Sequence, residues 1–332
     1  MIDTGLALTA ICLIATLMLL SLYVDWAKGR MVDTPNERSA HVVATPTGGG
    51  IVFLSVWIAM LAAGALLVPY QLVPALALGP AVLGLMWLGW IDDRTPLPTT
   101  LRFAVQFGSA GLFLLLWPWP PLPEPLSEAW FWPLAVVALL YLVYSANITN
   151  FMDGIDGIVA LQILAFVAGS VLILPPTVLT LPLLLLGAAV LGFFLFNRPP
   201  AKLFMGDSGS APLGLIVAAV TLAVAASNWR FGLALLVLQG VFLCDSAVTL
   251  LRRFLRRQNV TQAHSEHAYQ HAKRRWGHAK VSYALFALTM LVQLPVAYAV
   301  AWHLLPFWVA AIDLVLVALL AAFFRAGTAR TD

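Results

Sequence analysis

The sequence predicts an all-α polytopic membrane protein of about eleven transmembrane helices. Three observations carry that expectation. The 332 residues are 61% hydrophobic and 10% charged, with a mean hydropathy of +0.92, so there are too few polar side chains to cover a water-exposed surface. The apolar residues fall in runs of about 17 to 22, the length a helix needs to cross about 30 Å of hydrocarbon. Lys and Arg gather at every second run boundary, as they do when short basic loops stay on one side of a bilayer.

The runs begin near Leu6, Ile51, Leu72, Thr100, Trp130, Ile158, Val178, Ala211, Trp229, Val281 and Pro306. The first has no basic residue before it and no small-residue cleavage pattern after it, and Lys28 and Arg30 follow. It is therefore expected to be an uncleaved anchor with its N-terminus outside. Arg38 continues that basic group. Arg94 and Arg102 flank the third boundary, and Arg198 and Lys202 follow the seventh run. Arg252, Arg253, Arg256, Arg257, Lys273, Arg274, Arg275 and Lys280 follow the ninth, and Arg325 and Arg330 the last. Of the 18 Lys and Arg residues only Arg230 lies elsewhere. The N-terminus is thus expected to be periplasmic and the C-terminus cytoplasmic.

The outer connections, such as residues 118–128 and 174–177, are short or rich in proline. The inner loops hold the polar groups, so chemistry is expected on five cytoplasmic loops of a single domain, 1–332. Cys12 and Cys244 lie inside apolar runs and indicate no disulfide framework. The pI near 9.0 reflects membrane topology rather than nucleic-acid binding.

Loop one, VDTPNERSAHVVATPTGGG, ends in Gly48, Gly49 and Gly50, whose backbone can approach an anionic ligand closely or simply lead flexibly into the second run. Loop two, GWIDDRTPLP, places Asp92 and Asp93 at a helix end. Adjacent helical residues point about 100° apart, so one faces the site while the other braces Arg94 or the loop. Loop three, NITNFMDGIDGIVA, sets Asn147, Asn150, Asp153 and Asp156 among glycines. If it is helical the two Asp share a face, and if the glycines break the helix it can wrap a ligand.

Loop four, FNRPPAKLFMGDSGS, supplies Asn197, Lys202, Phe204 and Asp207. A carboxylate with a nearby cation suits Mg²⁺ bridging phosphates, since Mg²⁺ takes one or two carboxylates and leaves other positions to water and substrate oxygens. Asp207 as a plain helix cap is the alternative, and Phe204 reads as a base-stacking group or an interfacial anchor. Loop five is the most basic, with His264, His267 and His271 at helical spacing. Zinc would need a fourth ligand that the segment lacks, so imidazolium and guanidinium groups facing phosphate are the better expectation. Anionic-lipid attraction accounts for many of its charges in any case. Asp245 shares a helical face with Arg252 and is expected to be a structural partner of this region.

Taken in order, PNERSAH with TPTGGG, GWIDDR, NITNFMDGIDG, RPPAKLFMGDSGS and HSEHAYQ resemble the motifs of the polyprenyl-phosphate N-acetylhexosamine-1-phosphate transferase superfamily (glycosyltransferase family 4), over residues 32–280. GWIDDR and the span count look like its WecA/WbpL-like branch, which initiates O-antigen and related cell-surface glycans. The peptidoglycan-type translocases, the alternative reading, carry three contiguous histidines where this chain has His264, Ser265, Glu266 and His267. A transporter would hold its charges nearer the bilayer midplane.

The resemblance implies transfer of a sugar 1-phosphate from a UDP-N-acetylhexosamine to undecaprenyl phosphate at the cytoplasmic face of a bacterial inner membrane. It implies Mg²⁺ as cofactor, with Mn²⁺ as a substitute, membrane lipids as partners and no nucleic acid, while the oligomeric state, with a homodimer among the options, stays open. Asp207 is the implied metal ligand. Asp92, Asp93, Asp156, His264 and His267 are implied as catalytic, with Asp92 or Asp93 orienting or deprotonating the lipid phosphate and the histidines meeting phosphate oxygens. Asn147, Asn150, Asp153, Asn197, Lys202, Phe204, Gly48 and Gly49 are implied to bind substrate. Direct displacement and an aspartyl-phosphate intermediate both stay open, as does the choice among GlcNAc, FucNAc and QuiNAc.

Overall fold

The computed structural model describes residues 2–33, 44–121, 128–259 and 264–328. The PNERSAH motif, with Arg38 and His41, and Arg330 lie outside the described residues. Apart from one antiparallel ladder pairing β1 (Val32–Asp33) with β2 (Thr45–Pro46), the described elements are helices. A chain in hydrocarbon must satisfy its backbone internally, and helices do so within each segment. The protein is accordingly a multi-pass α-helical membrane protein.

Among the described residues, eight helical stretches are long and apolar enough to cross a membrane. They comprise α1 (Ile2–Ala27), α2 (Gly49–Leu67), α3 (Leu72–Asp92), α4 (Thr99–Leu116), α5 (Phe131–Met152), α7 (Thr180–Asn197), α8 (Asp207–Ser227) and a stretch joining α11 (Ala268–Leu288) to α12 (Leu294–Ala301). A ninth arises if α9 (Trp229–Leu238) and α10 (Gly240–Leu255), bent by 71° at Gln239, count as one span. The apolar helices α6 (Ile158–Ile173) and α13 (Trp308–Phe323) have 16 residues each, about 24 Å at 1.5 Å per residue. The full count of eleven therefore does not follow from helix length.

The ninth run is not the continuous helix its composition suggests. Its break is satisfied by polar side chains: Gln239 accepts from the Tyr141 hydroxyl at 2.8 Å and donates to Thr221 at 2.8 Å. Buried backbone and amide groups freed at a break need such partners. The turn carries α10, with Asp245 and Arg253, toward the same end as the polar loops.

Helix α8 is the axis of the bundle. Sixteen of its 21 residues are buried, and its small residues let neighbours approach at backbone distance, the means by which helices pack in lipid. A methyl group on Gly214 would meet the Ser145 carbonyl of α5, and one on Gly89 of α3 would meet the backbone of Asp207 and Ser208. These two crossings fix the start of α8 relative to α3 and α5. Large side chains such as Leu66, Leu115, Trp132 and Leu172 remain exposed, as lipid-facing surface requires.

Candidate active site

The carboxylate of Asp93, just past the end of α3, accepts hydrogen bonds from the first amides of α8. Asp207 donates at 2.8 Å and Ser208 at 3.3 Å. Helix N-terminal amides lack intrahelical acceptors and carry a partial positive charge, so an acidic side chain there is favoured. The cap of α8 thus comes from α3. Gly206, with φ of 73°, leads into the helix, and a Cβ there would collide with the Asp93 carboxylate. Asp207 does not cap its own helix, which leaves its carboxylate for other work.

Gly49 and Gly50 donate their amides to the carbonyls of Phe204 and Met205, each at 2.9 Å, while Phe204 donates to Pro46 at 2.8 Å. Those amides are spent on the chain itself. The expected phosphate cradle therefore loses the Gly49 and Gly50 amides, and these two glycines permit close packing instead. Gly48 adopts φ of 82°, and a Cβ on Gly49 would strike Phe193 and Leu203. Their effect on the site is to hold the Phe204–Asp207 loop in place.

Loop three takes the broken-helix course. Helix α5 ends at Met152, and Gly157 turns the chain with φ of 75°. Asn197, 3% exposed, staples the turn. Its side chain accepts from the Gly157 amide at 3.0 Å and donates to the Leu203 carbonyl at 2.9 Å. Asp156 accepts from Ala201 at 3.1 Å and pairs with His278 at 3.2 Å.

These segments enclose a polar cavity of about 420 Å³, lined by Asp93, Asp153, Asp156 and Asp207 with Asn150, Asn197, Phe204 and Ser210. A second, largely apolar cavity of about 700 Å³ lies between α3, α4, α5 and α8, lined by Phe103, Phe107, Leu140 and Phe151 among others. Asn150 and Asp207 line both. Asp92 faces the apolar side, paired with Arg102 at 3.2 Å and accepting from the Leu97 amide. Arg94 instead stacks on Trp90, 3.5 Å from the ring centroid. Asn147 also faces the apolar cavity, joined to Gln106 by reciprocal amide bonds of 2.8 and 3.2 Å.

Five carboxylates line this cavity, Asp33 of β1 being the fifth, and they repel each other. Burial, and then the charges of Asp207, Asp93 and Asp156, push the Asp153 carboxyl well above the usual range. Burial pushes Asp93 up to about 6, against the pull of the α8 amides and with a further push from Asp92. A divalent cation would relieve both effects. Among the described residues no three His, Cys, Asp or Glu side chains form a ready metal cage.

The basic wall differs from expectation. Gln270, Lys273 and His278 of α11 line the polar cavity, whereas His264, His267 and Lys202 do not. His267 is 1% exposed and caps α11, with its ring Nδ1 3.3 Å from Asp245. Asp245 also accepts from the amides of Ala268 and Tyr269 at 2.9 and 3.1 Å. His264 precedes the helix and stacks on His267, so the expected shared helical face is absent. Burial, then His267 and Arg253, lower His264 to about 4. That favours the neutral imidazole near pH 7. Asp245 is structural as expected, but its partners are His267 and the start of α11, while Arg252 binds the carbonyls of Ala322 and Ala326.

His278 was not singled out from sequence. Gly277, with φ of 78° and ψ of 170°, breaks α11 and turns His278 toward Asp156. A glycine inside a basic helical run was the available signal.

The fold and site define a class: a multi-pass helical membrane protein whose acidic cavity meets an apolar groove at a shared carboxylate. Residues 75–225 match the family described as glycosyl transferase family 4. A phospho-N-acetylmuramoyl-pentapeptide-transferase of Synechococcus sp. (strain JA-3-3Ab) is 32% identical over 66% of this chain and 67% of its own length. A probable undecaprenyl-phosphate N-acetylglucosaminyl 1-phosphate transferase of Bacillus subtilis is 29% identical over 72% and 68%. A decaprenyl-phosphate N-acetylglucosaminephosphotransferase of Mycobacterium tuberculosis is 35% identical over 57% and 52%. The chain belongs to the polyprenyl-phosphate hexosamine-1-phosphate transferase superfamily. It spans between about half and two thirds of the length of these relatives.

Proposed function

We propose that the protein transfers an N-acetylhexosamine 1-phosphate from a UDP-sugar to undecaprenyl phosphate, releasing UMP and forming a sugar-pyrophosphoryl lipid. The observation that supports this most directly is the junction of the two cavities at Asn150 and Asp207. A polar, acidic chamber suits a metal-bound nucleotide sugar, and an apolar groove suits a prenyl chain. Their shared lining brings the two phosphates within reach of one metal ligand.

In this reading an oxygen of the lipid phosphate attacks the phosphorus that bears the sugar. The new P–O bond forms as the bond to the bridging oxygen breaks, UMP leaves with that electron pair, and the anomeric C–O bond stays intact. A phosphate monoester with a second pKa of about 6 is largely dianionic near pH 7, so the attack needs no protein base. That favours direct displacement over an aspartyl-phosphate. Mg²⁺ held by Asp207, with Asp93 and Asp153 beside it, supplies charge neutralisation when bound. Arg102, aligned by Asp92, meets the lipid phosphate at the groove, while Lys273 offsets donor charge from the opposite wall. Asn150 and Phe204 position the nucleotide sugar.

Basic-loop asymmetry supports eleven crossings with the site on the cytoplasmic face of the inner membrane. Among the described residues the long stretches with the bent α9–α10 pair give nine, and the proposal counts the shorter α6 and α13 as the remaining two. The interrupted histidine string supports the branch that initiates O-antigen or related glycans over the peptidoglycan-type translocases. Incubating purified protein with radiolabelled UDP-N-acetylhexosamines, undecaprenyl phosphate and Mg²⁺ tests the reading. Organic-extractable label with stoichiometric UMP is expected, and no lipid-linked product from any donor would overturn it.

A further inference from the structure

The first part of α11 separates two chambers. Gln270 and Lys273 face the polar cavity, whereas Ala268, Ala272 and Trp276, four residues apart, line a third cavity of about 340 Å³ between α10, α11 and α13. Its remaining wall is almost entirely aliphatic or aromatic, with Leu285, Leu288, Leu320 and Phe324 among the lining residues.

Polarity is graded along this chamber. At the start of α11 its only acidic lining group is Asp245, whose oxygens already accept from Ala268, Tyr269 and Thr249. Trp276 lies eight residues further, about 12 Å along the helix, where it packs edge-on against Phe324 at 5.3 Å. This second end reaches the surface, since Trp276 is 41% exposed and neighbouring Phe323 is 78% exposed. Cationic residues flank it in the chain. Arg274 and Arg275 precede Trp276 and are exposed, and Arg325 follows Phe324.

We propose that this cavity binds one acyl chain of an anionic membrane phospholipid, with the lipid phosphate held at the Trp276 end by Arg274 and Arg275. An apolar bore with aromatic groups and cations at its mouth complements an acyl chain joined to a negative headgroup. The buried carboxylate of Asp245 opposes the reverse orientation. The site lies across α11 from the polar cavity and shares none of its lining residues. Its occupant is a bilayer lipid, not a reactant.

The test reads binding directly and requires no turnover, so it stands or falls apart from the transferase reading. Full-length protein in detergent is titrated by native mass spectrometry with dioleoyl-phosphatidylglycerol or dioleoyl-phosphatidylcholine. The wild type is expected to bind one phosphatidylglycerol about tenfold more tightly than phosphatidylcholine, roughly 1.4 kcal/mol by the usual conversion. Ala284→Phe, which places a ring at the exposed edge of the cavity, should abolish that site without lowering the melting temperature. The double variant Arg274→Gln/Arg275→Gln leaves the bore untouched and should retain binding while losing the headgroup preference. Equal affinity for the two lipids in the wild type, or an undiminished site in Ala284→Phe, would overturn the proposal. So would displacement of bound phosphatidylglycerol by equimolar undecaprenyl phosphate, which would assign the bore to the acceptor.

Discussion

Asp93 accepts a 2.8 Å hydrogen bond from the backbone amide of Asp207. One carboxylate therefore positions the residue whose own carboxylate stands at the meeting of the acidic and apolar cavities. Its neighbour Asp92 points to the other cavity and pairs with Arg102. Adjacent acids in sequence thus serve different chambers, and several expectations follow from that division.

Asp207→Asn is predicted to abolish turnover while protein yield is maintained. A neutral amide fills the same space but cannot replace a charged metal ligand. Near-normal lipid-linked product across a range of Mg²⁺ concentrations would contradict the ligand role.

Asp92→Asn and Asp93→Asn are predicted to separate in steady-state kinetics. Loss of the Arg102 partner should raise KM for undecaprenyl phosphate by about tenfold, equivalent to about 1.4 kcal/mol, with the UDP-sugar KM little changed. Loss of charge at Asp93 weakens the α8 cap and the acidic chamber together, so kcat and Mg²⁺ affinity should fall. Identical kinetic signatures for the two variants would refute the division between cavities.

Acidification should have opposite effects on the metal-free fold and on metal binding. The Asp93 carboxyl lies near 6 in the native state, above its ordinary value of 3.8, so the folded protein holds a proton that the unfolded chain releases. Its contribution to stability is fully present below about 4 and is lost as pH rises through about 6. In chelator, the melting temperature should therefore include an Asp93 contribution that favours pH 5.5 over pH 7.5. The additional stabilisation by Mg²⁺ should shrink over the same interval, because protons compete for the acidic cavity. Thermal melts of wild type and Asp93→Asn, with and without Mg²⁺ at both pH values, check the sign.

Gly50→Ala is predicted to destabilise by about 1–3 kcal/mol or more, since its new methyl would meet the α8 backbone at Gly209. Gly108→Ala in α4 meets nothing within 4 Å and should stabilise by about 0.5–1 kcal/mol through reduced backbone freedom. A thermal shift assay on the two variants reads both directions. Equal shifts would contradict the close α2–α8 crossing.

A reporter fused after the last residue is predicted to read cytoplasmic. A periplasmic signal would require an even number of crossings and would remove the proposed placement of the site.

The multi-pass class was legible in composition, because hydrocarbon length and the need for internal hydrogen bonds leave few alternatives to apolar helices. The polar loops were legible too, since Asp and Asn among glycines are costly at a membrane and rarely ornamental. Loop three shows the limit. Its string allowed either a helical face or a wrapping turn, and the staple from Asn197, 40 residues from Gly157, selected the turn. At Gly49 and Gly50 a phosphate cradle and a packing device have the same sequence, and the bonds to Phe204 and Met205 decide between them. The histidines of loop five were misplaced because a helix started later than their spacing suggested, with His267 as its cap rather than its interior.

The sequence by itself determined the membrane class, the family and the acids available for chemistry, because these rest on side-chain type and local order. The tertiary structure decided which acid faces which cavity, and that His278 rather than His264 lines the acidic one. The placement of the acids depends on backbone crossings between helices far apart in the chain, at Gly89, Gly50 and Gly214, where close approach leaves each neighbouring side chain a narrow choice of direction, and that of His278 on the break of α11 at Gly277.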